Sequence, residues 1–335
     1  ILFHQLSKFF SLLKILNLFI ILIIKMSISI HIPFYNPNPE KKEGYRNLTR
    51  FDYLKENILN LKKLSLPTEI FIHTHNDFLE NKELEAKIIK HQINNIDLEK
   101  GFLTWLTRLE MEKQKNNYDY FMYLEHDIKF SEKNLKYYLK YQKFLSEKKF
   151  NLGFLIYEKN HVDNQNYNIH LTKKLNKFLN FDSQNFFIND LENYCCFWLY
   201  DQKKFIDFVN SKWWNFKKKT HNFRHNYGIT EQSSIGFNAL SINYFKATLL
   251  PQIDKQADPD CFIEHITNNY YDKFTEFKEQ NFKDIRGVCT LKINEVFDEL
   301  NLKKETINNL YLKTNLKLFL WKFRFITRLF NKRPN

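Results

Sequence analysis

The 335-residue sequence contains little glycine, proline and cysteine, with six, seven and four residues respectively. This scarcity excludes a collagen-like or low-complexity chain and argues against long linkers. The motifs GxGxxG and GxxxxGKS/T are absent, which disfavours dinucleotide-binding and P-loop chemistry, and so is the GxSxG motif of a serine nucleophile. With 43% hydrophobic and 27% charged residues, the chain is predicted to fold as one compact unit of enzyme size.

The four cysteines do not form a pattern of metal ligands or disulfide partners. Cys195 and Cys196 are neighbours in an apolar run, while Cys261 and Cys289 are far apart and no CxxC pair occurs. Buried thiols in a reducing compartment are therefore the favoured interpretation. His73 and His75 form an H-x-H pair, but no third ligand is spaced to complete a zinc site with them.

The formal net charge of +13 is unevenly distributed. Residues 301–335 contain nine lysines and arginines and one acidic residue, so the rest of the chain is only mildly basic. The basic residues are mostly lysine. We interpret this as ordinary surface charge and expect no nucleic-acid partner.

The longest apolar run lies near the amino terminus, at residues 9–24. It is slightly short for the about 20 residues of a membrane helix, and lysines flank and interrupt it. Met26 directly precedes a strand-like segment. Residues 1–25 are therefore either a signal-anchor or an extension that is rarely translated. The first alternative predicts a membrane-anchored protein, and the second a protein at the cytoplasmic face of a membrane.

From residue 27 onward, short β-type segments alternate with helical patterns. The first half predicts strands at 27–34, 68–74 and 118–125 and helices at 47–63, 101–116 and 131–148. The second half predicts strands at 151–158, 194–200 and 243–250 and helices at 201–212 and 230–241. This order predicts an α/β fold with a mostly parallel sheet, whose ligands bind beyond the carboxyl ends of the strands. We expect one domain over 26–300 with an acceptor-side lobe.

The carboxyl-terminal segment is basic and amphipathic. At helical spacing, residues 308–330 place aromatic and aliphatic side chains on one face and lysines and arginines on another. Residues 301–335 are thus either a helix that docks on a membrane surface or a terminal helix packed on the domain.

The most informative segment is Glu125-His126-Asp127, which directly follows the apolar segment Tyr123-Leu124. Two carboxylates one residue apart at a strand end are suited to a hard divalent cation, which takes oxygen ligands and keeps positions for phosphate oxygens and water. The position at the end of a predicted buried strand favours a metal and phosphate site.

This segment resembles the Asp-X-Asp motif of nucleotide-sugar glycosyltransferases with the GT-A fold, in particular a group with YLEDDI-type and HHLxNNY-type motifs. The resemblance covers roughly residues 27–272. Its other parts are Leu103-Thr104-Trp105 with Arg108, Gly153-Phe154, Tyr194 to Trp198, Glu231 to Gly236, and Ile263 to Tyr270 with His265.

The resemblance implies that Asp127 ligates Mn²⁺ or Mg²⁺ bridging the donor diphosphate. Glu125 would contribute to the ribose or the metal-water shell, and His265 would complete the metal or diphosphate contacts. His126 stands where the family commonly has aspartate, so at this position an imidazole would contact the donor. Glu231 matches the acidic residue that opens the acceptor-side helix and acts as the base. Its alternative role is charge complementation of the helix amino terminus.

Further substrate contacts are expected from loops after the first two strands and from aromatic residues. Arg108 is a candidate for the diphosphate or ribose, and Trp213 and Trp214 for stacking on the acceptor or, equally, for core packing. The expected donor-binding residues of the two loops are Pro33, Tyr35, Asn36, Asn76 and Asp77.

The sequence therefore predicts a metal-dependent, inverting glycosyltransferase that uses a UDP- or GDP-sugar and a glycan or lipid-linked acceptor. One alternative is a nucleotidyltransferase on the same sheet, which would need a second metal-binding carboxylate across the cleft. The other is a noncatalytic, membrane-docked relic that binds glycan or nucleotide, and His126 is the feature that favours it.

Overall fold

The computed structural model describes residues 26–310, apart from 161, 162, 172, 192, 212, 216–227, 237–246, 269 and 271–290, together with Leu312 and Leu316. The predicted hydrophobic segment 1–25 and most of the predicted helix 308–330 lie outside the described residues. No described helix combines the length and apolar character that a membrane span requires.

The predicted strands and helices are found in the described part of the chain, with most boundaries within three residues of the expected ones. Residues 237–241 of the predicted helix 230–241 and 243–246 of the predicted strand 243–250 lie outside the described residues. The strands are β1 (Ile28–Pro33), β2 (Lys42–Glu43), β3 (Leu48–Thr49), β4 (Thr68–Thr74), β5 (Lys87–Lys90), β6 (Tyr120–Leu124), β7 (Ile128–Lys129), β8 (Asn151–Leu152), β9 (Leu155–Lys159), β10 (Asn166–Asn168), β11 (Lys177–Phe181), β12 (Gln184–Asn189), β13 (Phe197–Asp201), β14 (Thr248–Ile253), β15 (Gln256–Ala257), β16 (Phe262–His265), β17 (Leu291–Lys292) and β18 (Lys303–Lys304). The helices are α1 (Arg50–Leu61), α2 (Asn95–Glu99), α3 (Leu103–Lys113), α4 (Glu132–Glu147), α5 (Gln202–Val209) and α6 (Ile229–Ser234).

The first sheet has the strand order β13-β6-β1-β4-β5. Strands β6, β1, β4 and β5 are parallel, and β13 joins the edge antiparallel to β6. All six residues of β1 are buried, as expected for a strand inside a sheet covered on both faces. The predicted α/β class with a mostly parallel sheet is confirmed.

Helix α1 shows how the sequence sets the element boundaries. Thr49 accepts a hydrogen bond from the Asp52 amide, and the Asp52 carboxylate accepts one from the Thr49 amide, which forms a capping box. The buried side chain of Asn57, on the inner face of α1, donates to the carbonyls of His126 (3.2 Å) and Ile128 (2.8 Å). Helix α1 thus fixes the backbone that follows β6.

Two further sheets are built from the second half of the chain. One has the order β17-β10-β9-β16-β7, and the other the order β15-β14-β12-β11-β18 with β8 on β14. The predicted strand 151–158 is divided into β8 and β9, which belong to different sheets. The hairpin of β11 and β12 was not predicted, although its two-residue turn, Asp182-Ser183, has positive φ at both positions and so matches a tight hairpin turn.

A chain of hydrogen-bonded histidines crosses the first sheet. His31 Nδ1 lies 2.9 Å from His73 Nε2, and His73 Nδ1 lies 2.8 Å from His91 Nε2. At the other end, His31 Nε2 contacts Ser29 Oγ and Gln114 Oε1. Burial lowers the pKa of His31 to about 3, and it lowers the pKa of His73 well below its usual value. His73 is therefore part of a neutral hydrogen-bonded network. Both of its ring nitrogens contact other histidines, and this explains His73 without a zinc site shared with His75.

Candidate active site

Strand pairing brings the predicted metal residues together. Strand β7 follows β6 after three residues and pairs antiparallel with β16, so that His265 faces Ile128. On its other side β16 runs parallel to β9, with Glu264 opposite Tyr157. The Ile266 amide donates to the Asp127 carbonyl (2.9 Å). The segment after β6 and the end of β16 are thus joined by backbone hydrogen bonds.

His265 lies between two carboxylates. Its Nε2 is 3.1 Å from Asp127 Oδ2, and its Nδ1 is 2.5 Å from Glu158 Oε1. Glu158, on β9, is fully buried and also accepts a hydrogen bond from the Tyr270 amide (3.1 Å). Thr267 Oγ1 lies 3.1 Å from His265 Nε2. The imidazole is therefore held in orientation on both of its nitrogens.

The charges of Asp127 and His265 stabilise each other. Burial by itself would raise the pKa of Asp127, but the imidazoles of His126 and His265 hold it well below its usual value. Burial would lower the pKa of His265, but Asp127 and Glu158 raise it to about 10. Asp127 is therefore ionised at neutral pH, and in the absence of a metal ion His265 carries a proton.

Glu125 behaves differently from Asp127, although only one residue separates them. Its Oε1 accepts a hydrogen bond from the Tyr194 hydroxyl at 2.9 Å. Burial and the nearby charge of Asp127 raise its pKa to about 8, and Glu231 adds to this effect. Glu125 is thus mainly protonated at neutral pH in the absence of a cation.

Helix α6, which carries Glu231, is attached to α3. The Trp105 indole N–H donates to the Ile229 carbonyl at 2.9 Å. The amino-terminal cap of α6 is Gly228. A Cβ at Gly228 would lie 2.4 Å from Glu231 Oε2, so a larger residue there would displace the carboxylate. Glu231 is half-buried and lies in the first turn of the helix.

Buried polar atoms without partners mark the carboxyl ends of β1, β4 and β6. Both amide atoms of Asn36 lack a hydrogen-bond partner among the described residues, as do His75 Nδ1 and His126 Nε2. Asn36 is only 3% exposed. An unsatisfied buried polar group costs about 1–3 kcal/mol, so these atoms are suited to a polar ligand or to ordered water.

The other loop residues with predicted donor roles are arranged around this region. Pro33 is the last residue of β1, and the ring of Tyr35 contacts that of His75 with centroids 5.4 Å apart. Asn76 caps a short 3-10 helix by accepting from the Phe78 amide (3.3 Å). Asp77 is exposed and forms an ion pair with Lys90. Asn76 and Asp77 therefore already have partners in the loop.

The structure gives Arg108 a packing role in place of the predicted donor contact. Its buried guanidinium donates to the carbonyls of Trp213 and Ser233, both at 3.0 Å, and to that of Trp214. It also lies 4.0 Å from the centre of the Trp105 ring. Both Trp213 and Trp214 are less than one-tenth exposed, and the Trp214 indole donates to Glu112 (2.8 Å). The core-packing alternative thus describes these two tryptophans better than an open acceptor platform does.

A divalent cation fits the pair Asp127 and His265. Within the described ranges, no group of three histidine, cysteine or acidic side chains converges on a metal position. The distance of 3.1 Å between Asp127 Oδ2 and His265 Nε2 matches adjacent ligands of an octahedral ion, which are about 3 Å apart for bonds of about 2.1 Å. Mg²⁺ at phosphate substrates is commonly bound by one or two carboxylates, with phosphate oxygens and water in the other positions, and Asp127 supplies one such carboxylate.

Sequence reasoning missed Glu158, His170, Thr267 and the roles of two tyrosines. Glu158 ends an apolar segment and no local motif marks it, because its importance comes from the pairing of β9 with β16. Tyr194 and Tyr270 lie within segments that carry the family resemblance, but only the structure shows that they contact Glu125 and His265.

Comparisons with known proteins give weak similarities. No protein-family model matches the chain, and no curated protein matches it significantly. Among solved structures, S. aureus TarS is similar over 71% of this chain, with 13% identity and a TM-score of 0.36. The chain spans 60% of that TarS chain. The 4-diphosphocytidyl-2C-methyl-D-erythritol synthase from Anaerococcus prevotii is similar over 73% of this chain and 89% of its own length, with 11% identity and a TM-score of 0.33.

A third similar structure is a cytidylyltransferase from Leptospira borgpetersenii, with 13% identity, a TM-score of 0.25 and coverage of 40% of this chain and 53% of the other. At such TM-scores these similarities carry no argument about function.

Proposed function

We propose that the protein is a metal-dependent glycosyltransferase of the GT-A type, which moves a sugar from a nucleotide-diphosphate donor to a glycan or lipid-linked acceptor with inversion. The observation that carries the proposal is the set of unpartnered buried polar atoms of Asn36, His75 and His126 at the ends of three neighbouring parallel strands. His126 directly precedes Asp127, whose carboxylate faces His265. Ligands of such sheets bind at this edge.

Each residue of the site has a separate role in the proposed reaction. Asp127 and His265 would hold Mn²⁺ or Mg²⁺, which offsets the charge that develops on a leaving diphosphate. Glu158 holds the imidazole of His265 from its other nitrogen, as carboxylates commonly do for metal-binding histidines. Asn36 and His126 offer polar atoms to the nucleotide. Glu125 and Tyr194 form a hydrogen-bonded pair beside Asp127 that can contact the ribose or phosphates.

Glu231 is the candidate base. A sugar hydroxyl is a poor nucleophile until its proton is removed, so the reaction needs a base on the acceptor side. Glu231 is close enough to affect the pKa of Glu125, yet it lies on α6 rather than on the strands of the first sheet. This position is suited to a group that acts on the acceptor while the donor occupies the strand ends.

The test compares Asp127→Asn with the wild type in a thermal-shift titration with UDP or GDP, with and without Mn²⁺. The amide loses the charge that binds the cation, so we expect the Mn²⁺-dependent stabilisation by nucleotide to disappear, together with donor hydrolysis. Glu264→Gln is the matched control, because Glu264 lies next to His265 but pairs with Lys129 at 3.6 Å. If Asp127→Asn keeps the full Mn²⁺-dependent shift, Asp127 does not bind the metal.

The reaction products separate the proposal from the nucleotidyltransferase alternative. A glycosyltransferase releases nucleoside diphosphate from a nucleotide-sugar, whereas a nucleotidyltransferase releases pyrophosphate from a nucleoside triphosphate and a sugar phosphate. Release of pyrophosphate alone would favour the second activity. Binding of nucleotide without either product would favour the noncatalytic alternative.

A further inference from the structure

His170 lies next to the proposed diphosphate site, between two tyrosines. It follows β10, and its ring makes edge contacts with those of Tyr194 and Tyr270, at centroid distances of 5.3 Å and 5.6 Å. The Tyr194 hydroxyl binds Glu125, and the Tyr270 ring lies 5.4 Å from that of His265. The three rings thus form a continuous series of contacts between Glu125 and His265.

Two features of His170 itself bear on its role. Its φ is +76°, in the left-handed region that histidine, like asparagine and aspartate, adopts more often than most residues other than glycine. Its Nε2 is buried and has no hydrogen-bond partner among the described residues. An unsatisfied buried polar atom costs free energy, and a bound ligand or an ordered water is the usual explanation for one.

We propose that His170 is a specificity-determining residue that binds a hydroxyl of the transferred sugar through Nε2, with the rings of Tyr194 and Tyr270 as apolar walls. This inference rests on the proposed function. The sugar is bonded to the diphosphate, so it has to lie beside the residues that hold the phosphates. Tyrosine rings pack against the C–H faces of a sugar, and a buried imidazole nitrogen selects for a hydroxyl because it remains unsatisfied when the hydroxyl is absent.

The experiment measures binding of four probes in the presence of Mn²⁺ by isothermal titration calorimetry: UDP, UDP-glucose, GDP and GDP-mannose. The first variant is His170→Asn, since asparagine tolerates positive φ but does not reach as far as histidine. The second is His170→Phe, which keeps a ring between the tyrosines but removes both nitrogens. Tyr167→Phe is the control for disturbance of β10, because Tyr167 lies on that strand and its hydroxyl donates to the exposed Asp163.

For the nucleotide-sugar that the wild type binds, we expect both His170 variants to lose about tenfold in affinity, the usual effect of one lost hydrogen bond. Binding of the matching nucleoside diphosphate should stay within about twofold, and Tyr167→Phe should match the wild type for all probes. A merely structural role of His170 would weaken both kinds of ligand equally.

Equal losses for diphosphate and nucleotide-sugar would overturn the sugar contact, and so would unchanged binding of both. Either result leaves the proposed function intact, because the wild type still binds the donor. If the wild type binds neither a diphosphate nor a nucleotide-sugar with Mn²⁺, the proposed function fails, and the sugar contact fails with it.

Discussion

Acid should destabilise this protein through the buried histidine chain, and His31 gives the clearest measure of the effect. In an unfolded chain a histidine has a pKa of about 6.5. In the folded protein, burial lowers the pKa of His31 to about 3, although the hydrogen bond with Gln114 opposes this. Between these two values the unfolded state binds more protons. The stabilisation from neutral His31 is therefore complete above about pH 6.5 and is lost progressively as the pH falls towards about 3.

The expected magnitude follows from the two pKa values. Lowering the pH from about 7.5 to about 5 should reduce the free energy of unfolding by about 2 kcal/mol through His31 alone. His73 contributes in the same direction, since its pKa is lowered as well. Glu125 and His265 oppose the effect, because their raised pKa values, about 8 and about 10, make the folded state bind more protons than the unfolded chain does as the pH falls from about 7.5.

The measurement is urea unfolding of the wild type and His31→Gln at both pH values, followed by tryptophan fluorescence. Glutamine keeps a donor and an acceptor but does not titrate, so the variant should be less stable at neutral pH and should lose about 2 kcal/mol less on acidification. His75→Gln is the comparison, because half-buried His75 lies outside the chain of three imidazoles. Burial lowers the pKa of His75 as well, so this variant should reduce the acid sensitivity in the same direction but by less than His31→Gln does. If His31→Gln loses stability on acidification as steeply as the wild type, the reasoning is refuted.

Two further predictions concern the proposed reaction. Glu231→Gln should lower turnover strongly and leave the affinity for the donor within a few-fold, because the group acts on the acceptor; a large loss of nucleotide binding in the folded variant would place it on the donor side. Glu158→Gln should weaken Mn²⁺ binding by about 10–100-fold, as measured by electron paramagnetic resonance of free Mn²⁺, because Glu158 positions His265. Unchanged Mn²⁺ affinity would reduce Glu158 to a packing residue, and Glu264→Gln is again the control.

The first half of the fold could be predicted from the sequence because its signals are local. The βαβ order gave the strands β1, β4 and β6, and the helices begin close to the expected residues. The second half of the fold was harder to predict from the sequence. The division of 151–158 into β8 and β9 depends on which partner strands are available, β14 for one and β10 and β16 for the other. Such pairings are set by tertiary contacts rather than by local propensity.

Only part of the arrangement at the candidate site could be anticipated from the sequence. Asp127 and His265, 138 residues apart, were both expected at the metal, and the structure places their side chains in contact. Glu158 carries no local signal, since a single glutamate at the end of an apolar segment usually faces water. Arg108 was expected at the diphosphate or ribose of the donor, but its distant carbonyl partners cannot be read from a sequence.

The contacts of Arg108 also bear on the order in which the chain acquires its structure. The carbonyls of Trp213 and Ser233 lie 105 and 125 residues further along the chain, so these bonds close very long loops. During synthesis, α3 is complete long before these acceptors leave the ribosome, and until then the guanidinium has to remain hydrated. The first sheet would also lack its edge strand β13 at that stage. The amino-terminal half should therefore not be a stable intermediate on its own, and the chain should fold cooperatively after most of it has been made.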